Sequence, residues 1–322
     1  MRGRPPITVA QVIDTPQLMD TLDSVITIPV IPFRNGEIDY AAHRKNIEYL
    51  LTNNSLSDDR PRVVCIAGTS LIQHVSYADQ NRLITETGKV MGNSGILLSA
   101  LVPNPIASAG DLVRTQSEMS RPPDGFLIMP LGGVYSTAGL YAGLRSFGEE
   151  HRESCGARFI YYLRQSRDQD EVIRLIQDSD AFIGVKVGTT EDDVPAMVKG
   201  VGDSGIVIWG VGDRSTKAAQ LETRGHTSGI SVLLAKAGDA INNAQRAGDF
   251  DTAVEIERRI TPLEEIRFEN GRVFNYSAVV EAMILSGFND IDPGEGGPFN
   301  PRVSSEVAER VKKAIEGVLD LH

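Results

Sequence analysis

"DAFIGVKVGTT", residues 180–190, is an almost continuous apolar run with a single lysine in it. Ala181, Phe182, Ile183, Gly184 and Val185 lead into Lys186, and Val187 follows directly. A strand this apolar is buried on both faces, as in a parallel sheet covered by helices. An ammonium group buried there without a partner is costly, and such a lysine tends to lose its proton. The segment therefore predicts an α/β fold with an amine kept neutral for chemistry. The plainer alternative is a lysine that snorkels from a strand end or forms a structural ion pair.

Outward from this stretch, short β-branched runs recur with helical patterns between them. Strands are expected at 24–30, 62–67, 95–101, 125–129, 157–163, 181–187, 205–210 and 229–234. Helix starts are signalled by Asp39 ahead of "YAAHRKNIEYLL" and by Ser76 three residues before Asp79. Eight strands alternating with helices predict a (β/α)8 TIM barrel, with a doubly wound sheet as the alternative. No G-x-G-x-x-G follows the first strand, which weakens the dinucleotide-binding version of that alternative. Past residue 234 the pattern turns helical. The chain divides into an N-terminal arm (1–22), the barrel (23–248) and a C-terminal helical subdomain (249–322).

With 43 acidic against 32 basic residues the net charge is -11, which argues against nucleic acid or an anionic membrane as partner. No apolar stretch of membrane-spanning length occurs, and "MRGRPPITVAQVIDTPQ" has no apolar core of a signal peptide. Two cysteines, Cys65 in an apolar run and Cys155, make no disulfide framework and fit a reducing, cytoplasmic setting. The five histidines form no ligand-spaced pair, so no metal site and no cofactor is expected.

In such barrels chemistry sits at the C-terminal ends of the strands. Lys186 ends strand six, "AGTS" (67–70) ends strand two, "YYL" (161–163) strand five and "GVGD" (210–213) strand seven. A neutral amine at Lys186 attacks a ketone to give a Schiff base. Of Tyr161 and Tyr162 only one points into the barrel, where a phenol could relay protons. Thr69 and Ser70 offer hydroxyls for a carboxylate, although a simple turn explains them equally well.

Taken together these segments resemble the dihydrodipicolinate synthase / N-acetylneuraminate lyase superfamily over roughly residues 24–290. "VITIPVIPFRNGEID", "AGTSLIQHVS", "GFLIMPLGGVYSTAGLYAGL", "FIYYL", "FIGVKVGTT" and "GVGD" are similar to its successive motifs, in order. The resemblance implies a class I lyase acting on pyruvate or another 2-oxo acid by aldol cleavage, condensation or dehydration. It implies Lys186 as Schiff-base lysine, Tyr161 as proton relay (Tyr162 if the register slips by one), and Thr69 and Ser70 as carboxylate ligands, with Ser70 also passing protons. Gly212, Asp213, Ile230 and Ser231 fall on pocket-wall positions, and a homotetramer, a dimer of dimers, is the implied assembly. Several family positions are replaced: Leu71-Ile72 stand where Gly-Glu is usual, Leu131-Gly132 where two tyrosines are usual, and Ser166 where an arginine binds a second carboxylate. The alternative reading is a divergent, catalytically inactive relative acting as a small-molecule binding or regulatory protein.

Overall fold

A computed structural model describes residues 13–322. Eight parallel strands close into a barrel: β1 (Val25–Thr27), β2 (Arg62–Ile66), β3 (Gly95–Leu101), β4 (Gly125–Ile128), β5 (Phe159–Leu163), β6 (Phe182–Val187), β7 (Ile206–Trp209) and β8 (His226–Ser228). Each strand pairs with the next, and β8 closes the ring on β1 through Val25–His226, Ile26–Thr227 and Thr27–Ser228. The expected TIM barrel is therefore observed. Helices α1 (Thr15–Leu22), α2 (Tyr40–Thr52), α3 (Tyr77–Met91), α4 (Ile106–Ser117), α5 (Thr137–Cys155), α6 (Gln169–Asp178), α7 (Val194–Val201), α8 (Thr216–Gln220) and α9 (Ala235–Arg246) surround it. The C-terminal stretch adds α10 (Phe250–Arg272), α11 (Ser277–Ser286) and α12 (Ser305–Glu316).

Both caps anticipated from sequence form. The Asp39 side chain accepts from the amides of Ala41 and Ala42, and Ser76 accepts from the amide of Asp79, each satisfying donors that a helix start leaves free. Every residue of β2, β3, β5 and β6 is buried, so these strands carry two apolar faces. Outward-facing Phe159, Tyr161, Leu163, Val185, Val187, Val207 and Trp209 pack beneath the helices. Ile160, Tyr162, Ile206 and Ile208 belong with the interior.

The eighth strand departs from expectation. It is the polar triplet His226-Thr227-Ser228, whereas "ISVLL" (230–234) forms a tight turn in which the amides of Leu233 and Leu234 donate to Ile230 O. The run is apolar because the turn is covered: Ile230, Val232, Leu233 and Leu234 are buried, and Tyr49 Oη donates to Leu233 O at 3.0 Å. A short apolar run cannot by itself distinguish a buried strand from a buried turn.

At the N-terminal end of the barrel, Arg62 at the start of β2 is buried against Asp239 of α9. Its Nη1 and Nη2 donate to the two carboxylate oxygens at 2.5 and 2.8 Å. Its remaining donors reach Leu50 O and Asn53 O. Leu18 and Leu22 of α1 are fully buried at this lower end, where Leu18 approaches Gly125 at the start of β4.

Candidate active site

Lys186 is the fifth residue of β6, and in the ladder it is level with Tyr162 of β5 and Ile208 of β7. Val185 and Val187 face the helices, so alternation sends Lys186 inward. Its stem has room because residue 210 is glycine: a Cβ there would lie 2.7 Å from both Cγ and Cε of Lys186. Gly188 does the same for Tyr162, whose ring would meet a Cβ at 2.2 Å. Lys186 Nζ rests over the Tyr162 ring, 4.2 Å from its centre. No carboxylate lies within ion-pair distance of this buried amine among the described residues.

The two groups perturb each other. Burial lowers the pKa of Lys186; Tyr162 and Cys65 oppose this, while Arg164 and Arg272 reinforce it. Burial alone would raise the Tyr162 phenol, but Lys186, Arg164 and Arg272 outweigh it and hold the phenol down at about 8. Arg164 Nη1 also donates to Tyr162 Oη at 3.1 Å. An amine pushed toward neutrality beside an acidified phenol is a pair suited to moving protons near neutral pH.

The pair opens onto a cavity of about 50 Å³ at the C-terminal mouth of the barrel. Its walls come from Ile28 after β1, Gly68 and Thr69 after β2, Gly210 and Gly212 after β7, and Thr227 of β8. Arg267, Phe268, Arg272 and Asn275, at the end of α10 and just beyond it, cover the mouth. Arg267 is itself spoken for. It donates to Glu264, its Nη2 reaches Asn275 Oδ1 at 2.8 Å, and Asp213 Oδ2 lies at 3.5 Å. Gly212, at φ +69, lets the loop turn there, and the next amide, that of Asp213, donates to Glu264 at 2.9 Å.

Of the residues singled out in the sequence, Lys186, Thr69 and Gly212 line this cavity. Tyr161 does not. Its side chain is buried on the helix side of β5, and Tyr162 occupies the inward position one residue on. Parity was hidden because both faces of "FIYYL" are apolar. Ser70 is buried with its hydroxyl committed: Oγ donates to Pro29 O at 2.6 Å and accepts from the amide of Ala67 at 3.3 Å. Asp213 lies behind Arg267, its carboxyl pushed up by burial and by neighbouring Glu264 against the pull of Arg267. Ser231 Oγ donates to Ser228 Oγ and, with Ile230, sits in the buried turn behind the wall. Arg267, Phe268, Arg272 and Asn275 were not anticipated; the one cue was the turn-forming Asn270-Gly271 pair inside a helical pattern.

A model of the dihydrodipicolinate synthetase family matches residues 165–316, a span that includes Lys186 and the mouth-covering residues of α10. The chain resembles the dihydrodipicolinate synthase / N-acetylneuraminate lyase superfamily in sequence and in fold. Among solved structures, the dihydrodipicolinate synthase of Bacillus clausii superposes with a TM-score of 0.80 at 19% identity, covering 92% of this chain and 98% of that one. The enzyme of Oceanobacillus iheyensis gives 0.82 at 17% identity, covering 94% and 98%. That of Thermotoga maritima gives 0.80 at 19%, covering 93% and 99%. No curated protein sequence matches the chain. The family model begins after the Tyr162 strand; of the motif positions replaced relative to the superfamily, 71–72 and 131–132 lie in the unmatched part, and Ser166 lies within the match.

Proposed function

We propose that the chain is a class I lyase that binds pyruvate or another 2-oxo acid as an imine on Lys186, then makes or breaks a bond by aldol cleavage, condensation or dehydration. The observation that carries this reading is a buried lysine without a carboxylate, stacked on a phenol at the functional end of a barrel. The neutral amine adds to the ketone carbon, and the resulting carbinolamine, protonated on its hydroxyl, loses water to leave an iminium, which draws electrons from the adjacent carbon. Tyr162 takes the relay role that the resemblance assigned to Tyr161. With a pKa near 8 it holds its proton at neutral pH yet releases it readily. The Thr69 hydroxyl lies on the cavity wall, placed for the carboxylate of the 2-oxo acid.

Incubation with pyruvate and borohydride, followed by mass spectrometry, tests the proposal: a reduced adduct on the peptide carrying Lys186 is expected, and its absence defeats the lyase reading. The binding-protein reading draws on two observations. Ser70 is locked to Pro29 O and Tyr162 Oη is bonded to an arginine, a group that does not accept a proton. An adduct that forms and never turns over on any of a panel of 2-keto-3-deoxy sugar acids would favour it. The same proposal includes a homotetramer, tested by light scattering at micromolar concentration. It also includes a cytoplasmic setting, consistent with Cys65 and Cys155 being free thiols.

A further inference from the structure

Two arginines, Arg267 and Arg272, line the mouth of the cavity and a third, Arg164, bonds the Tyr162 hydroxyl; two of the three already have work within the protein. Arg267 is held by Glu264, Asp213 and Asn275, and Arg164 donates to Tyr162. Arg272 is different. It lines the cavity, stacks 5.3 Å from the Phe268 ring and has no carboxylate within ion-pair distance among the described residues. Its backbone is unusual as well. Helix α10 breaks at Glu269 (ψ 155), and Asn270, Gly271 and Arg272 follow with φ of 48, 76 and 76. A left-handed conformation is unfavourable for a residue with a Cβ, and such strain gathers where a side chain must be aimed. Here it turns the guanidinium back over the barrel instead of out along the helix.

We propose that Arg272 is a specificity residue that binds a carboxylate at the far end of the substrate, so that the 2-oxo acid accepted here is a dianion. The reading deepens the lyase assignment and rests on the same cavity. With room for roughly three or four water-sized groups, the cavity of about 50 Å³ takes the keto-acid head. A longer substrate must then place its tail at the mouth, where the unpaired guanidinium waits. A planar fork of donors matches a carboxylate in two parallel hydrogen bonds.

The test compares the dianion 2-oxoglutarate with its C5 methyl ester, a monoanion that lacks only the distal charge, by calorimetric titration into the intact protein, so no turnover is needed. The native protein should favour the dianion by on the order of 10- to 100-fold, the worth of a hydrogen-bonded charge pair. Arg272→Ala should bring the ratio near one, and Arg272→Lys should keep part of it. Arg272→Gly serves as the folding control, because glycine adopts the left-handed backbone freely. Its thermal midpoint should equal or exceed that of the native protein while the preference is still lost. Equal binding of both ligands by the native protein, binding of neither, or a preference that survives in Arg272→Ala and Arg272→Gly would overturn the proposal. The borohydride adduct of pyruvate is scored separately. If it fails to form, the Schiff-base reading falls, and the affinity ratio still decides the role of Arg272.

Discussion

Two of the buried cations, Arg62 and Lys186, lie at opposite ends of the barrel and are treated differently. At the N-terminal end Arg62 meets both oxygens of Asp239 and two backbone carbonyls, leaving none of its three nitrogens idle. At the C-terminal end Lys186 has a phenol ring beneath it and, among the described residues, no carboxylate within ion-pair distance. Burying a charge is costly in either place. The lower site compensates with geometry, and the pair joins β2 to α9. The upper site leaves the cost standing, which drives the amine toward its neutral, nucleophilic form. Burial with a counter-charge makes a structural joint; burial without one lowers the pKa of an amine.

The most complete way to break the contrast is Lys186→Ala, which should abolish the borohydride-trapped pyruvate adduct. An adduct that persisted elsewhere would remove Lys186 from the chemistry. The counterpart at the lower end is Arg62→Met, which strands Asp239 and should cost about 3–5 kcal/mol in a denaturant titration. Lys186→Met, which removes a buried amine that has no counter-charge, should leave stability unchanged or raised. Equal destabilisation by the two methionine variants would erase the distinction between the ends.

Tyr162→Phe should lower turnover on any confirmed substrate by on the order of 10²–10⁴ while still allowing imine formation. Tyr161→Phe, outside the cavity, should be nearly silent. A reversed pattern would restore Tyr161 as the relay. The smallest effect is spectroscopic. Tyrosinate absorbance should appear near pH 8 in the native protein and be missing from Tyr162→Phe, because Lys186 and the arginines acidify this phenol. The sign for stability follows. Between about 8 and the ordinary value of 10 the unfolded chain still holds the proton that the folded one has lost, so this group adds stability as pH rises through that window. Protonation below about 8 removes the contribution.

The sequence made the barrel legible because two-faced apolar strands alternate with capped helices, and both signals are local. It misplaced the last strand because His226-Thr227-Ser228 is polar while the buried turn after it is apolar. Tyr161 was favoured over Tyr162 because a strand buried on both faces carries no polar alternation to fix which side is which. Ser70 shows the limit of composition: a hydroxyl beside the right glycine was already committed to Pro29. Arg267 and Arg272 were invisible for a different reason. In "EEIRFENGR" they read as ordinary charged positions of a surface helix, and only the chain's long return over the barrel places them at the mouth.

That return has a consequence in time. Chains are made from the N-terminus, and domains fold as their segments emerge. Lys186 and Tyr162 leave the ribosome well before the end of α10 that covers them. Until β8 pairs with β1 and that helix end settles over the mouth, the lysine stays hydrated and keeps its ordinary proton. If Lys186 is the nucleophile proposed above, its reactivity is acquired last, in the same step that completes the fold, and a nascent or truncated chain has the residues of the site without it.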